Sequence, residues 1–276
     1  MHRILRDRRL WITLLLLVPA LIQFFPILYM VSLSFKQGVE VFAFPPTVFP
    51  KSLKLNNYDA ALKAAPVGRF LVNSLIQATS ITLLQVFTAI LAAYALARTE
   101  FPGKKFFLVI ILATMMVPGE VIIIPNYLTL AKLGWLDTYA GLVVPFGASG
   151  FGVFLLYQFF KSIPKELEEA ARVDGASRLR FLFQIMVPLS MPAVVAFAVY
   201  AFVSAWNQYL WPLVVTQSTE MQTAQIGIGM FRAENEANSW GMIMAATTLL
   251  IAPSIALFLA TQKQFVQGIT MSGLKG

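Results

Sequence analysis

Six long apolar segments run through this sequence, and they restrict the folds that the chain can adopt. Each is long enough to cross a bilayer as a helix, which takes roughly twenty residues because lipid offers the backbone no hydrogen-bond partners. The approximate segments are 11–35, 70–97, 106–131, 138–160, 185–213 and 239–262. The pattern predicts an all-α integral membrane protein of six transmembrane helices, folded as one domain over residues 1–276.

The composition supports a membrane location and argues against several other functions. Hydrophobic residues make up 58% of the chain and charged residues 12%, and the mean hydropathy is +0.72. A soluble domain of this size could not bury so much apolar surface. The formal charge of +8 is spread between apolar segments, which argues against nucleic acid as a partner. Without Cys, and with His2 as the one histidine, we expect no catalytic residues and no metal site.

The distribution of Lys and Arg predicts which ends of the segments face the cytoplasm. If the N-terminus is cytoplasmic, so are residues 97–105, residues 161–180 and the C-terminal tail, and these stretches hold most of the basic residues. Both termini are therefore expected in the cytoplasm. The first segment is longer than the apolar part of a signal peptide, so we interpret it as a retained anchor.

Two absences from the sequence narrow the classes of transporter. No inverted repeat relates the first three segments to the last three, which argues against a self-contained secondary transporter. No Gly-x-x-x-x-Gly-Lys-Ser/Thr motif occurs, so any ATP must be bound by another chain. An ATPase-independent carrier or channel stays open as an alternative. A membrane-embedded enzyme is disfavoured, because Glu120 is the one acid that its apolar segments could offer.

The loop at residues 161–184 carries signals for a short helix, a sharp turn and a second helix. Ser162 is expected to cap the first helix, with Pro164 in its first turn and three glutamates near its positive N-terminal end. Gly175 predicts a left-handed stop. Ser177 is expected to cap the helix that returns to the membrane.

One face of the first helix in this loop is expected to be apolar and small. Its members, at spacings of three and four residues, are Ile163, Leu167, Ala170 and Ala171. Alanine permits close approach by another protein. The alternative is an amphipathic helix that lies in the lipid headgroup layer, although such helices usually carry bulky aromatic residues on the apolar face.

The same loop carries a family motif. Glu169-Ala170-Ala171, then Asp174-Gly175-Ala176 and later Ile185 and Pro188, resembles the Glu-Ala-Ala loop of ABC importer permeases. The resemblance covers essentially the whole chain and implies the type I ABC importer permease fold. In that family the loop forms a coupling helix that docks on an ATPase subunit. The resemblance assigns this ATPase-coupling contact to Glu169, Ala170, Ala171, Asp174 and Gly175.

The resemblance also implies the rest of an assembly. The chain would be one pore-forming subunit, beside a second homologous permease, two cytoplasmic ATPase subunits and an extracytoplasmic solute-binding protein. It would be a multi-pass protein of a bacterial-type inner membrane, in contact with lipid, and would itself be no enzyme. ATP and Mg would be bound by the partner ATPase, so no cofactor is expected in this chain.

Two segments of the sequence indicate a class of solute. The tail at residues 264–276 is similar to that of the maltose-type carbohydrate branch of importers. The run Trp206–Pro212 looks most like the glycerol-3-phosphate and glycerophosphodiester members of that branch. A glycerol phosphate ester and a neutral mono- or oligosaccharide are both retained as candidate solutes.

Glu120 is the one carboxylate predicted inside an apolar segment, which makes it a candidate on the solute pathway. Pro118, Gly119 and Pro125 surround it and predict a broken helix, whose freed backbone needs a cavity or a protein neighbour. The alternative is a glutamate near the outer end of the span that pairs with a neighbouring subunit.

Trp206, Asn207 and Gln208 lie late in the fifth segment and supply the amide and stacking surfaces that sugar recognition requires. We expect Asn207 or Gln208 to face the pore. An aromatic belt at the membrane interface is the alternative. The prolines expected to bend or end this segment are Pro188, Pro192 and Pro212.

The loop at residues 216–238 is longer than a minimal turn. It carries Glu220, Glu234 and Glu236. In the resembled branch this loop enters the cleft of the binding protein and displaces its ligand. Its residues alone also fit a solvated linker.

Overall fold

The computed structural model describes the backbone of residues 2–234 and 240–273, and the side chains of residues 11, 13–231, 240–260 and 262. Regular secondary structure in this part of the chain is entirely helical. The α-helices are α1 (His2–Phe35), α2 (Asn56–Ala64), α3 (Val67–Arg98), α4 (Lys104–Thr114), α5 (Ile123–Leu133), α6 (Tyr139–Val143), α7 (Gly150–Ser162), α8 (Glu166–Val173), α9 (Arg178–Phe181), α10 (Val187–Leu189), α11 (Met191–Trp206), α12 (Leu210–Val215), α13 (Ala224–Glu234) and α14 (Trp240–Gly273). A π-helical turn, Leu182–Met186, joins α9 to α10.

Three helices are long and apolar enough to cross a membrane unaided, through Thr13–Phe35, Val67–Arg98 and Trp240–Ala260. Three further candidates are pairs of helices bent at a short break, so the described chain has up to six spans. The bent pairs are Lys104–Thr114 with Gly119–Leu133 at 93°, Tyr139–Phe146 with Gly150–Ser162 at 44°, and Arg178–Leu189 with Met191–Trp206 at 81°. The predicted all-α fold with six candidate spans is confirmed.

The third candidate span is broken between α4 and α5. Pro118 is extended, with φ −60° and ψ 133°, and the 3₁₀ turn Gly119–Ile122 follows it. A proline lacks the N–H donor and drives the residue before it away from helical geometry, so α4 cannot continue. Pro125 lies in the first turn of α5, where its missing N–H costs little. The broken helix predicted from these residues is confirmed.

The fourth candidate span, approximately residues 138–160, also bends, and the sequence analysis did not predict this break. Pro145 lies in the 3₁₀ turn Val144–Phe146, and α7 starts a few residues later. Ser149 caps α7, since its Oγ accepts a hydrogen bond from the N–H of Gly152 at 3.2 Å. A proline and a capping serine lie close together in the sequence, and together they interrupt this apolar segment.

In the fifth candidate span the helix turns by 81° at Ser190, between α10 and α11. Pro188 lies in α10 and Pro192 in the first turn of α11, which confirms that these two prolines accompany a bend. The expectation for Pro212 is wrong. Helix α11 already ends at Trp206, and Pro212 lies in the first turn of α12, where a proline needs no N–H.

The chain packs as two compact units. They comprise Met1–Gly68 with Gly227–Ala252, and Arg69–Ile226 with Pro253–Gly276. Within the second unit, α3, α7, α8 and α11 share a buried apolar cluster. Its members include Leu156, Phe160 and Phe197. That the whole chain acts as one permease domain stays a prediction.

Helix α1, in the first unit, has little cover from its own chain. The most apolar part of Thr13–Phe35 contains no buried residue. Trp11, Leu15 and Ile22 are 70%, 75% and 68% exposed. An apolar surface of this extent requires lipid or a protein partner.

Asp137 joins the turn after α5 to the turn after α12. Its φ of +58° is left-handed, which Asp tolerates. Its carboxylate accepts hydrogen bonds from the N–H groups of Gln217 and Ser218 at 2.9 and 3.1 Å. Burial by itself would raise the pKa of this carboxyl, but the donated hydrogen bonds outweigh it and hold the pKa below its ordinary value.

Asp137→Asn is expected to destabilise the protein at neutral pH and to lose its effect in acid. Because the folded pKa is lowered, the carboxylate stabilises the fold above its ordinary pKa of about 4, and the contribution disappears as pH falls through the folded pKa. With allowance for solvent exposure, we expect the free energy of unfolding to fall by about 1 kcal/mol at neutral pH. Thermal unfolding in detergent at neutral and acidic pH is the measurement.

Asp59→Asn is the matched control for this experiment. Its carboxylate pairs with Lys63 at 2.6 Å on an exposed helix surface, so its loss should change stability by no more than about 0.5 kcal/mol. An equal destabilisation by Asp137→Asn at both pH values would contradict a role for the ionised carboxylate.

Candidate functional site

The 161–184 loop folds as a helix, a tight turn and a second helix. Helix α8 ends in a Schellman motif. The N–H of Gly175 donates to the carbonyl of Arg172 at 3.0 Å, and the N–H of Ala176 donates to that of Ala171 at 2.9 Å. Gly175 has a φ of +77°, which a residue with a Cβ rarely adopts. The left-handed stop predicted at Gly175 is confirmed.

The two predicted serine caps have different outcomes. Ser177 caps α9 as expected, because its Oγ accepts a hydrogen bond from the N–H of Arg180 at 3.3 Å. Ser162 does not cap α8, so that expectation is wrong. It is the last residue of α7, and its hydroxyl donates to the carbonyl of Phe159 at 2.7 Å on its own helix. Lys165 precedes α8 instead and makes no side-chain cap.

Helix α8 turns one face inward and another outward. Ala171 is 6% exposed and belongs to the buried cluster, whereas Ala170 is exposed. Leu167 and Val173 are also exposed, at 41% and 88%. The single apolar face predicted for this helix is therefore wrong, because Ile163 and Ala171 are buried while its other members face outward. Sequence reasoning missed Val173, whose position three residues after Ala170 is the signal that could have found it.

Four of the five residues assigned to the coupling contact are exposed. They are Glu169, Ala170, Asp174 and Gly175. Ala171 is the exception, because it packs against its own chain. The exposed residues leave a surface that a second protein can reach. The coupling role of the set stays a prediction.

Trp206 is buried at the end of α11 and lines no open surface. Its side chain is 2% exposed, and its ring stacks on Phe202 with 5.9 Å between the ring centroids. Its Nε1 has no hydrogen-bond partner among the described residues. The buried face of α11 directs this side chain into its own chain, and a pathway role for Trp206 stays a prediction.

Asn207 and Gln208 lie at the break between α11 and α12. Asn207 is exposed, and its Oδ1 accepts a hydrogen bond from Gln225 Nε2 at 3.3 Å. Gln208 is half-buried, and its Oε1 accepts a hydrogen bond from Gln77 Nε2 at 2.7 Å. Sequence reasoning missed Gln77, which is 2% exposed. An amide within the apolar segment 70–97 is the signal that could have found it.

A polar face of α3 holds the start of the 216–238 loop. Asn73 Nδ2 donates to the backbone carbonyls of Glu220 and Gln222, each at 2.7 Å. Its Oδ1 accepts a hydrogen bond from the hydroxyl of Tyr139 at 2.6 Å. The Asn73 side chain is fully buried, so these bonds replace those that water would supply.

The 216–238 loop contains a helix, α13. Glu220 lies in a 3₁₀ turn ahead of that helix. Residues 235–239, with Glu236, lie outside the described part of the chain, as does the side chain of Glu234. The predicted contact of this loop with a binding protein therefore stays a prediction.

Glu120 lies in the 3₁₀ turn Gly119–Ile122, at the break of the third candidate span. Its side chain is exposed and pairs with no basic residue in the described part of the chain. This placement fits both a pathway residue and a contact with a neighbouring subunit.

A cavity of about 500 Å³ lies beside Leu96, Glu100 and Tyr157 and includes no predicted pathway residue. Among the described residues, no three acidic or histidine side chains could hold a metal ion.

These features define a class of protein. The described chain is helical, has up to six membrane spans of which three are broken, and presents an exposed helix and turn between two of them. Broken spans are tolerated where the freed backbone lies against protein or a water-filled cavity, as in transport proteins. The class is a polytopic membrane protein with broken spans, an arrangement that transport proteins use.

Comparison with known proteins gives the family. The family described as binding-protein-dependent transport system inner membrane component matches residues 85–271, and the chain belongs to it. The chain is a permease subunit of an ABC importer and a multi-pass protein of the inner membrane.

The relatives match over nearly the whole chain. The sn-glycerol-3-phosphate transport system permease protein UgpE of Escherichia coli O1:K1 is 36% identical over 277 residues, which cover 96% of this chain and 99% of that protein. The protein of the same name from Pectobacterium atrosepticum is 37% identical over 265 residues, with 94% of each chain covered. A bacterial ABC transporter involved in the import of the acidic polysaccharide alginate superposes with a TM-score of 0.82 at 26% identity, over 94% of this chain and 97% of that chain. The predicted importer permease fold is confirmed.

Proposed function

We propose that this permease is driven by cytoplasmic ATPase subunits that dock on α8 and the Gly175 turn. The observation that carries the proposal is the exposed surface of Ala170, Val173 and Asp174, opposite a face that anchors α8 to its own chain through Ala171. Helix α8 can therefore receive a partner on one side and pass its displacement to the spans on the other. In this arrangement both termini are cytoplasmic, and ATP, Mg and hydrolysis belong to the partner subunits.

A second, homologous permease would complete the pore, and an extracytoplasmic solute-binding protein would deliver the solute at the 216–238 loop. The description of the family names transport that depends on a binding protein. The base of this loop is fixed to α3 through Asn73, so a protein that docks there would meet an ordered surface. Uncovered apolar surface, such as that of α1, would face lipid or the second permease.

The solute we propose is anionic and rich in hydroxyl groups, with a glycerol phosphate ester as the leading candidate. The two UgpE relatives belong to sn-glycerol-3-phosphate transport systems, and the solved relative takes part in the import of an acidic polysaccharide. Side-chain amides such as those of Asn207 and Gln208 offer N–H donors to phosphate and hydroxyl oxygens. A neutral mono- or oligosaccharide is the alternative, which the same amides also fit.

ATP hydrolysis stimulated by the binding protein tests the solute class. The complex of both permeases and the ATPase subunits is reconstituted in liposomes with the binding protein and one of four solutes. The solutes are sn-glycerol-3-phosphate, a glycerophosphodiester, an acidic oligosaccharide and maltose. We expect the glycerol phosphates to stimulate hydrolysis about tenfold. Stimulation by maltose alone would reassign the permease to neutral sugars.

Replacing Asn207 and Gln208 together with leucine is expected to slow solute transport by about thirtyfold. The change removes two amides at the α11–α12 break, and each hydrogen bond to a solute is worth about 1 kcal/mol. The ATPase subunits should still bind because α8 is unchanged. Uptake of radiolabelled solute into liposomes is the measurement.

Gln262→Leu is the matched control for the double variant. Gln262 is an exposed amide on α14 whose Nε2 donates to the carbonyl of Leu259 at 3.1 Å, so its loss should leave transport unchanged. Since Gln208 also accepts a hydrogen bond from Gln77, size-exclusion chromatography must show that the variant complex assembles. Normal uptake by the double variant would remove both amides from the pathway.

A further inference from the structure

Arg98, the last residue of α3, is a buried cation that caps α7. Its side chain is 3% exposed. One terminal nitrogen of the guanidinium donates to the carbonyls of Phe160 and Ile163, at 2.9 and 2.5 Å. These carbonyls lie at the C-terminal end of α7, where a helix has no N–H groups left to satisfy them and favours a positive charge. Arg98 therefore binds the end of α3 to the end of α7.

The same guanidinium faces α8. Its other terminal nitrogen lies 4.0 Å from Glu168 Oε2, and the Glu168 side chain is 13% exposed. Because both groups are largely shielded from water, their attraction is weakly screened. The second oxygen of Glu168 accepts a hydrogen bond from Arg172 at 3.0 Å on the outer surface of α8. Glu168 therefore stands between an exposed cation and a buried one.

Arg98 and Glu168 form an ion pair in this structure without a hydrogen bond between them. At 4.0 Å the two groups are an ion pair but too far apart to share a hydrogen bond. Arg98 Nε is also buried and has no hydrogen-bond partner among the described residues. A guanidinium and a carboxylate can form two parallel hydrogen bonds when they approach to about 2.8 Å. A small displacement of α8 toward α3 would thus bring Glu168 within hydrogen-bond distance of the Arg98 guanidinium and close the pair.

Helix α3 extends from this contact to the candidate pathway. It is one uninterrupted helix from Val67 to Arg98. Gln77, which holds Gln208, and Asn73, which holds the base of the 216–238 loop, lie toward its other end. At 1.5 Å per residue, Asn73 is about 37 Å from Arg98 along the helix axis. Because α3 is one continuous helix, a displacement at Arg98 would be transmitted along it to these amides.

We infer that Arg98 and Glu168 form the link that passes displacement of α8 to α3, and through α3 to the amides at its opposite end. The inference rests on the proposed function, since it requires ATPase subunits that act on α8. Both are positioning residues, because they act through α3 and contact neither solute nor nucleotide. Movement of the docked ATPase that pushes α8 toward α3 closes the Arg98–Glu168 pair, and the reverse movement reopens it.

Glu168→Gln in the full reconstituted complex tests the link. Glutamine keeps the shape of the side chain and leaves Arg98 on the carbonyls of α7, so the fold is preserved while the charge is lost. We expect the ratio of stimulated to basal ATP hydrolysis to fall about tenfold. The binding-protein concentration for half-maximal stimulation should stay unchanged, since the outer loop is unaltered. Glu166→Gln, the same substitution at an exposed position of α8, is the control and should keep the wild-type ratio.

A docking assay separates failure of the link from failure of the proposed function. The chain contains no cysteine, so the single cysteine of a Lys165→Cys variant can be joined to lysines of the ATPase subunit with a maleimide–succinimide reagent. Lys165 is exposed just ahead of α8 and is not among the assigned coupling residues. We expect cross-linking in both the Glu168 and the Glu168→Gln forms. A wild-type ratio of stimulated to basal hydrolysis in untreated Glu168→Gln, when the same variant also cross-links normally, would overturn the link. If cross-linking is lost only in Glu168→Gln, Glu168 serves docking and the link is overturned. If neither form cross-links, the proposed function is overturned.

Discussion

Gly175→Pro is expected to abolish the stimulation of ATP hydrolysis by the liganded binding protein while the spans still fold. Proline fixes φ near −65°, whereas Gly175 has a φ of +77°. Proline also lacks the N–H that Gly175 donates to Arg172. The turn must therefore rearrange, at a cost of about 3 kcal/mol or more, and the exposed Asp174 is displaced with it. We expect the stimulated rate to fall by more than about tenfold.

The spans should survive this substitution because Gly175 is exposed and an added Cβ would meet no atom within 4 Å. Gly175→Asn is the matched control, since asparagine tolerates a left-handed φ and keeps the N–H. Hydrolysis by both variants is compared with wild type after size-exclusion chromatography has shown that each complex assembles. Full stimulation in the proline form would show that the α8 turn does not couple ATP to transport.

Gly152→Ala is expected to destabilise the packing of α7 on α11 by about 3 kcal/mol. A Cβ at position 152 would lie 2.0 Å from Cζ of Phe197, far closer than non-bonded carbon atoms approach. Phe197 is completely buried, so its ring has little room to move away. Small residues allow this close approach of two membrane helices. Thermal unfolding and the yield of monodisperse protein in detergent measure the effect.

Two further variants make this prediction specific. Gly68→Ala is the control, because a Cβ at position 68 would meet no atom within 4 Å. Phe197→Leu shortens the opposing side chain, so the double variant Gly152→Ala/Phe197→Leu should be more stable than Gly152→Ala alone. A double variant whose two effects simply add would mean that the predicted clash does not cause the loss.

Local sequence signals predicted the spans and the shape of the coupling loop. The apolar segments predicted the spans because lipid admits only backbone that is hydrogen-bonded within itself. Pro118 and Gly119 predicted the break of the third span, and Gly175 and Ser177 predicted the turn after α8. These signals succeed because the backbone limits of Pro and Gly, and the reach of a capping hydroxyl, extend over only a few residues.

The structure departed from simple sequence patterns where local signals competed. Pro145 and Ser149 broke the fourth span against a continuous apolar pattern. Ser162 could either cap α8 or be the last residue of α7. Helix α7 extends to include Ser162, whose hydroxyl bonds to Phe159 of the same helix. Pro212 was expected to end a span, yet α11 had already ended at Trp206. The residue at which a helix ends depends on which capping or helix-breaking signal prevails. The spacing of residues in the sequence does not decide this.

The sequence by itself determined the number of candidate spans, the family motif and the turn at Gly175. Only the tertiary structure decided that Ala171 faces inward while Ala170 faces outward, that Trp206 is buried, and that Gln77 holds Gln208. It also placed Arg98 against α7 and α8. Periodicity shows which residues share one face of a helix, but not which neighbour that face meets. That choice follows from packing between segments distant in the chain, where burial and hydrogen bonding must be satisfied together.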